Sequence, residues 1–357
     1  MSETRTQKAL AITSKGGPFT LIRHAIPTPG PGDVLVKMQG VGLNPAEWKF
    51  QVGLFDDTEF INSYPAFLGT EGAGIVVEVG SDVSTINKGD RVLFQGWITA
   101  ERTTFQEYAL VEAELVARIP ETLTTLQAAA IPMGLTTAAL GLGHTFPASV
   151  TGRGGAGLKP IWEDGAKGYY SGRAILIFGG ASMVGQFTIQ IAKYLGFSPI
   201  IVTSSLKHTD GLVSMGATHV IDRYTTVVPA VEKLKRELNV QIEVVYDAVH
   251  VPVTQAEVDL MAPNGTLVGV FPAPDELQFR DGRRATSPIG SFLLYKDLGK
   301  EMFARIQDFL QKGIIKPVSV EKLDRGLAGI AEGLGRLQRN EVSGKKLVVD
   351  PTETPDF

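Results

Sequence analysis

The 357-residue chain is long enough for two buried cores. Its 34 Lys and Arg stand against 38 Asp and Glu, a net charge of −4 that gives no general electrostatic footprint for nucleic acid or an anionic membrane. Cysteine is absent, which excludes disulfides, thiolate nucleophiles, iron–sulfur clusters and Cys-ligated zinc. The histidines, His24, His144, His208, His219 and His250, show no HxH, HxxxH or HExxH spacing, so no ready metal site is visible.

Glu3, Arg5 and Lys8 lead into no long apolar run, so a secretory leader is not expected and a cytoplasmic setting is. Up to residue 120 the sequence reads as short strands punctuated by Pro and Gly, among them KALAIT, VLVKMQGVGLN, AGIVVEVG and DRVLF. Such spacing predicts a compact antiparallel barrel-like domain. Near Leu123 the texture changes to LTTLQAAAIPMGLTTAALGL, rich in Ala and Leu, which predicts closely packed helices. The uncharged stretch Thr122 to Gly152 is broken by Thr, Gln, Gly and Pro, so a membrane-spanning helix is not expected. Residues 147–172 carry Gly, Pro and charge without apolar periodicity and predict a loop insertion, either a lid or a mobile spacer.

From Arg173 onward apolar runs alternate with helical segments: RAILIFGG, ASMVGQFTIQIAKYLGF, SPIIVTSS, LKHTDGLVSMGA and THVIDRY, then IEVVYDAV and GTLVGVF. That alternation predicts an α/β doubly wound parallel sheet with its ligand crevice at the carboxyl ends of the strands. The crevice is expected near Gly179 to Gly185, Thr203 to Lys207 and Asp247 to His250. After Glu301 the helix EMFARIQDFLQKGII, an amphipathic segment and the strand KKLVVD are expected to return to the first domain. The expected division is therefore 1–125 with 310–357 on one side and 126–309 on the other.

The segment FGGASMVG, Phe178 to Gly185, lies between an apolar strand and a helix that begins without charge. A glycine turn there brings backbone N–H groups and a helix dipole to a pyrophosphate. Gly179, Gly180, Ala181, Ser182, Met183, Val184 and Gly185 are thus candidate cofactor contacts, with Ser182 where many fingerprints have their middle glycine. The ribose-reading position lies about 20 residues further on. It holds Thr203, Ser204, Ser205 and Lys207, with no acid before Asp210. Hydroxyls and a cation suit a 2′-phosphate, so the cofactor read here is NADPH, held by Ser204, Ser205 and Lys207 with Tyr224 along the adenine.

Several stretches together resemble the medium-chain dehydrogenase/reductase superfamily, in its zinc-independent quinone oxidoreductase and enoyl reductase branch. They are GPGDVLVKMQGVGLNPAEWK, FLGTEGAGIVVEVGSDV followed by KGDRV, FQEYALV, AAAIPMGLTTAAL, GGASMVGQFTIQIAK and SGKKLVV. Within that branch the chain is similar to fungal trans-acting polyketide enoyl reductases. The resemblance implies a GroES-like antiparallel β-barrel domain, a Rossmann NADPH-binding domain, and substrate lying between the two. It also marks departures from metal-dependent members. Asn44 stands where they have a cysteine and Thr70 where a GHE motif has histidine, and no metal residue is assigned. Without a Lewis acid, conjugate reduction, which delocalises charge into an enolate, is favoured over alcohol oxidation.

The implied function is NADPH-dependent reduction of an activated C=C bond in an enoyl thioester or α,β-unsaturated carbonyl. The substrate is either a small molecule or an acyl chain on a carrier, with a polyketide synthase as partner in the second case. A quinone reductase and a non-catalytic NADPH-binding protein are the alternatives, and monomer and homodimer both stay open. The catalytic candidates are Lys49, which matches the active-site lysine of zinc-free enoyl reductases, and Thr137, which matches a threonine near the nicotinamide. Lys49 reads alternatively as a stem lying on Trp48, and Thr137 as a helix-interior hydroxyl bonding its own turn. Asn44 is a pocket and cofactor candidate, whereas Tyr64 reads best as core packing. Glu47 is expected to orient Lys49, and Glu71 to partner a nearby Arg. Val270 and Phe271 are expected to offer backbone groups to the nicotinamide carboxamide, and Arg283 and Arg284 read as a solvated basic turn.

Overall fold

The computed structural model describes residues 5–54, 61, 63–97, 99–144, 153–249 and 253–357. The chain forms two compact units, one of Met1–Met133, Phe292–Gln311 and Pro317–Phe357, the other of Gly134–Ser291 and Lys312–Lys316. The boundary thus falls inside the helix Pro132–Gly143 rather than at residue 125. The helix Lys296–Gln311 groups with the first unit, where the segment after Glu301 was expected to return, so that return comes earlier than residue 310. Packing explains this: the helix lies on Ala113–Arg118, and Lys296 and Lys300 pair with Glu112 and Glu114 at 2.6 and 2.7 Å.

The strand Asp33–Gly42 organises the first unit, pairing antiparallel with Glu71–Val79, Tyr108–Glu112 and the C-terminal strand Lys346–Val349. Its sheet runs Val320–Leu323, Lys346–Val349, Asp33–Gly42, Glu71–Val79, Arg91–Gln95, Val116–Arg118. A second sheet joins Phe19–Ala25, Thr6–Ile12 and Ala66–Phe67. Alternating inward residues such as Val34, Val36 and Met38 meet Val92, Phe94, Phe105 and Leu347 in one core. The pairing of Val41 with Gly72 and of Gly42 with Val348 brings three strand ends together, at residues 42–44, 70–71 and 346.

In the second unit six parallel strands lie in the order His219–Asp222, Ile200–Ser204, Ala174–Phe178, Ile242–Asp247, Met261–Gly269, Arg284–Thr286. This is the doubly wound Rossmann order, which reverses at Ala174–Phe178, so the crevice opens past the carboxyl end of that strand. All five residues of that strand are buried, as a strand covered on both faces requires. Arg284–Thr286 is a strand and not a solvated turn: Arg284 Nε donates to Thr266 Oγ1 at 3.1 Å and Arg283 Nε to the Met261 carbonyl at 3.0 Å. These anchors hold both arginines to the sheet edge.

Of the expected insertion, residues 147–152 lie outside the described residues. The described remainder is neither lid nor spacer, because Leu158, Ile161, Trp162, Ala166 and Tyr170 are buried. Tyr170 stacks on Phe197 at 5.1 Å, and its hydroxyl accepts from the Lys159 N–H at 2.7 Å. Anchors spaced irregularly leave no periodic signal, which is why the segment reads as a loop. Among the described residues, Thr125–Gly143 is the one helical stretch long and apolar enough to cross a membrane, and 78% of its apolar window is buried inside the protein.

Candidate active site

The phosphate-type turn begins at Gly179, whose φ of +72° is left-handed. A Cβ at Gly179 would lie 2.5 Å from the Val249 methyls, and one at Gly185 would lie 2.4 Å from the Gly179 carbonyl oxygen. Both positions therefore demand glycine. The turn is also bonded from the neighbouring strand: the Gly179 N–H donates to Thr203 Oγ1 at 3.1 Å and the Gly180 N–H to the Thr203 carbonyl at 2.9 Å. Ser182 is the N-cap of the helix Met183–Leu195, with Oγ accepting from the Gly185 N–H at 3.0 Å. Its hydroxyl closes the helix end, and the same atom donates to the Ala248 carbonyl at 3.3 Å. Ala181, Ser182, Met183 and Val184 stay half-buried at the start of that helix, where free N–H groups favour an anion.

Past the next strand, Ser204 Oγ is buried without a hydrogen-bond partner. Ser205 precedes the short helical turn Leu206–His208, on which Lys207 is exposed. Two residues that the sequence analysis did not assign to the cofactor join them. The Arg223 N–H donates to the Ser204 carbonyl at 3.0 Å, and its guanidinium lies 4.7 Å from the ring centre of Tyr224 and donates to the Tyr224 hydroxyl at 2.5 Å. Tyr224 is 74% exposed, an open aromatic face. His208 is the second: burial, then the charges of Lys207 and Arg223, hold its pKa below the ordinary range. Asp222, paired in register with Ser204, accepts from the Tyr224 N–H at 3.2 Å. Arg223 was hidden because it comes from the adjacent strand end, outside any fixed spacing from the glycines.

In the first unit, Asn44 caps the helix Pro45–Gln51, with Pro45 at the first position where its missing N–H costs nothing. Glu47 on that helix is fully buried. One carboxylate oxygen accepts from the Asn44 N–H at 2.6 Å and the other from Thr70 Oγ1 at 2.6 Å, so Glu47 is directed at Thr70 and the helix start, where an orienting contact to Lys49 was expected. Asn44 Nδ2 donates to Thr70 Oγ1 at 3.1 Å and to Glu71 Oε1 at 2.8 Å, and the Met133 N–H donates to Glu71 Oε2 at 2.8 Å. Glu71 also pairs with Lys346, whose ammonium donates to Asn44 Oδ1 at 2.5 Å. The expected arginine partner is thus a lysine, 3% exposed, from the closing strand. Burial pushes the Glu47 carboxyl up to about 7, against the bond from Thr70, the Lys346 charge and the bond from Asn44.

Lys49 sits two residues on. Its ammonium lies 5.6 Å from the Trp48 ring centre, and burial lowers its pKa. Tyr64 is 39% exposed and therefore not core. In the second unit Thr137 is 9% exposed, and a Cβ at Gly290 would lie 2.1 Å from its hydroxyl. The buried Tyr246 hydroxyl donates to the Thr137 carbonyl at 2.9 Å and fixes that turn of helix. Val270 and Phe271 are half-buried past the fifth strand, beside a shallow concavity lined by Asp247, Gly269, Phe271 and Thr286. His250 lies outside the described residues.

Comparisons with known proteins agree with this architecture. Residues 30–121 match the alcohol dehydrogenase GroES-like domain and residues 184–309 the zinc-binding dehydrogenase family. Trans-enoyl reductases of Aspergillus flavipes and Aspergillus terreus are 33% and 32% identical over 225 and 228 residues, 61% of this chain in each case and 60% and 69% of theirs. The chain thus spans less than two thirds of the first. A 2-methylene-furan-3-one reductase of Solanum lycopersicum is 29% identical over 332 residues, 91% of this chain and 73% of that protein. The crystal structure of an alcohol dehydrogenase superfamily protein from Novosphingobium aromaticivorans superposes with TM-score 0.79 at 24% identity, over 97% of this chain and 99% of that one. The fold and the site define an oxidoreductase with a Rossmann nucleotide unit and a GroES-like unit. More particularly, the chain belongs to the medium-chain dehydrogenase/reductase superfamily.

That superfamily binds a nicotinamide cofactor, and the second unit fits one: two glycines whose Cβ would fill the cradle, and a partnerless buried hydroxyl at Ser204. A catalytic zinc does not fit. Zinc sites use thiolate, imidazole or carboxylate, and here the cluster holds an amide, a hydroxyl, one carboxylate already paired to an ammonium and a second, Glu47, whose two oxygens are taken by the Asn44 N–H and the Thr70 hydroxyl. Among the described residues no group of three or more His, Cys, Asp or Glu is placed to hold a metal ion.

Proposed function

We propose that the chain is an NADPH-dependent reductase of an activated C=C bond, acting on a 2-enoyl thioester or an α,β-unsaturated carbonyl. The observation that carries the reading is the Asn44–Glu47–Thr70–Glu71–Lys346 network. A site built this way offers hydrogen bonds in place of a Lewis acid, and conjugate reduction suits it because the developing charge spreads over an enolate. The names of the fungal relatives support an enoyl substrate, and that of the tomato relative an enone.

Reduced nicotinamide, when bound, supplies the hydride. The N–H groups at the start of the helix Met183–Leu195 hold its pyrophosphate, and Ser204, Ser205, Lys207 and Arg223 take the 2′-phosphate. Tyr224 lies along the adenine, and the backbone of Val270 and Phe271 receives the carboxamide. Lys49, partly stripped of water by its burial, donates to the substrate carbonyl oxygen. Thr137 orients the nicotinamide end, and Asn44 holds Thr70 and Glu71 in place. An acyl chain tethered to a carrier of a polyketide synthase is part of the same proposal.

The test follows cofactor absorbance with 2-enoyl thioesters, free enones and quinones, using NADPH and NADH in turn. NADPH-selective turnover of enoyl thioesters or enones is the expected result. Turnover of quinones alone, or equal use of NADH, would overturn it.

A further inference from the structure

Conjugate reduction needs a proton at the α-carbon after the hydride reaches the β-carbon, and none of the residues assigned above supplies it. The first unit holds a buried acid with a single way out. Asn44, Glu47, Glu71 and Lys346 are 7%, 0%, 0% and 3% exposed, whereas Thr70, bonded to Glu47 and Asn44, is the half-exposed member of the cluster. On the reading of the preceding section, we propose that Glu47 and Thr70 form the proton path of this site, Glu47 as buried reservoir and the Thr70 hydroxyl as the group that hands the proton to the substrate's α-carbon.

Charge balance supports a proton on Glu47. The charged groups that face it are Glu71 and Lys346, so a neutral Glu47 leaves the buried set balanced, while an ionised one leaves an uncompensated negative charge. Burial pushes the group up to about 7, where it can both hold and release a proton near neutrality. Hydrogen-bond geometry supplies the direction. With Glu47 ionised, Thr70 donates inward to Oε1. With Glu47 protonated on Oε1, Thr70 Oγ1 accepts from Glu47 and, at 3.1 Å, from Asn44 Nδ2, which fills both lone pairs. The Thr70 O–H must then donate away from the cluster.

The step balances. Hydride adds to the β-carbon, the C=C π pair passes into the enolate, and the α-carbon forms its new C–H bond as the Thr70 O–H bond breaks. Thr70 Oγ1 takes the Glu47 proton in the same event. Glu47 is left a carboxylate, to be reprotonated from water by the same hydroxyl. Glu47 acts through Thr70, so it is a positioning and reservoir residue, and Thr70 is the catalytic one.

Two readouts test the path. In cofactor-free protein, infrared difference spectra between acidic and alkaline pH should contain a carboxylic acid C=O band that titrates near pH 7 and is lost in Glu47→Gln. In D2O, wild-type enzyme should deuterate the α-carbon on one face, and kcat should fall as pH rises through about 7. Thr70→Val and Glu47→Gln should lower kcat by about 100-fold with little change in KM and lose facial selectivity, while Thr70→Ser restores both. Absence of the band, or unaltered facial selectivity in Thr70→Val, would overturn the path while leaving the reductase reading intact. A wild-type enzyme that consumes no NADPH with any enoyl thioester or enone would overturn that reading and the path with it.

Discussion

The nucleotide turn and the Glu47 cluster solve the same problem, holding charge at a fixed point, by opposite means. The turn uses consecutive residues, Gly179 to Gly185, which lead into a half-buried helix start at Met183 and Val184 whose N–H groups suit an anion arriving with the ligand. The cluster carries its own charged groups on residues 47, 71 and 346, bridged by Asn44 and Thr70, and closes those three side chains off from water. A site open to its counter-charge can lose one residue and keep its fold, because water and ions replace the missing partner. A closed site cannot, since any removed charge leaves another one buried and alone.

The sharpest way to break this contrast is Lys346→Met, which strands Glu71 beside Glu47. It should destabilise the protein by about 3–5 kcal/mol in denaturant unfolding. Lys207→Ala should change stability by no more than about 0.5 kcal/mol, and comparable losses in the two variants would contradict the distinction.

Next is the pH dependence of Glu47→Gln. Glu47 keeps its proton in the folded state up to about 7, from an ordinary 4.5. The folded protein therefore binds the extra proton between those values, and stability contributed by this group falls as pH rises through that window. Above about pH 7 the full penalty stands, at most roughly 3 kcal/mol. Glu47→Gln should flatten that decline, and an unfolding midpoint with the same pH slope as wild type would count against a raised carboxyl.

At the open site, Lys207→Ala and Arg223→Ala should each weaken NADPH binding by about 10- to 100-fold, the worth of a charge-assisted hydrogen bond to phosphate. NADH binding, measured by the same fluorescence titration, should change less than about twofold. Tyr224→Ala should have the smallest effect, a loss of about 0.5–1.5 kcal/mol for both cofactors, since stacking does not read the 2′ position.

The contrast also explains what the sequence displayed. The parallel sheet, the glycine turn and the hydroxyl-rich end of its second strand were legible because each depends on neighbours in the chain. Asn44 and Thr70 were legible as departures from metal-ligand positions. Lys346 as the partner of Glu71, and the direction of Glu47 toward Thr70, depend on which strand ends meet, and no local pattern encodes that. Arg223 was missed for the same reason, and Tyr64 was placed inside when it is 39% exposed.

The most direct test of the central claim is NADPH consumption with a 2-enoyl thioester before and after exhaustive chelation of divalent metals. The account predicts turnover that prefers NADPH over NADH and is unchanged by chelation, because the proposed Lys49 hydrogen bond to the substrate oxygen takes the place of a metal. Activity that disappears on chelation and returns with zinc would contradict it.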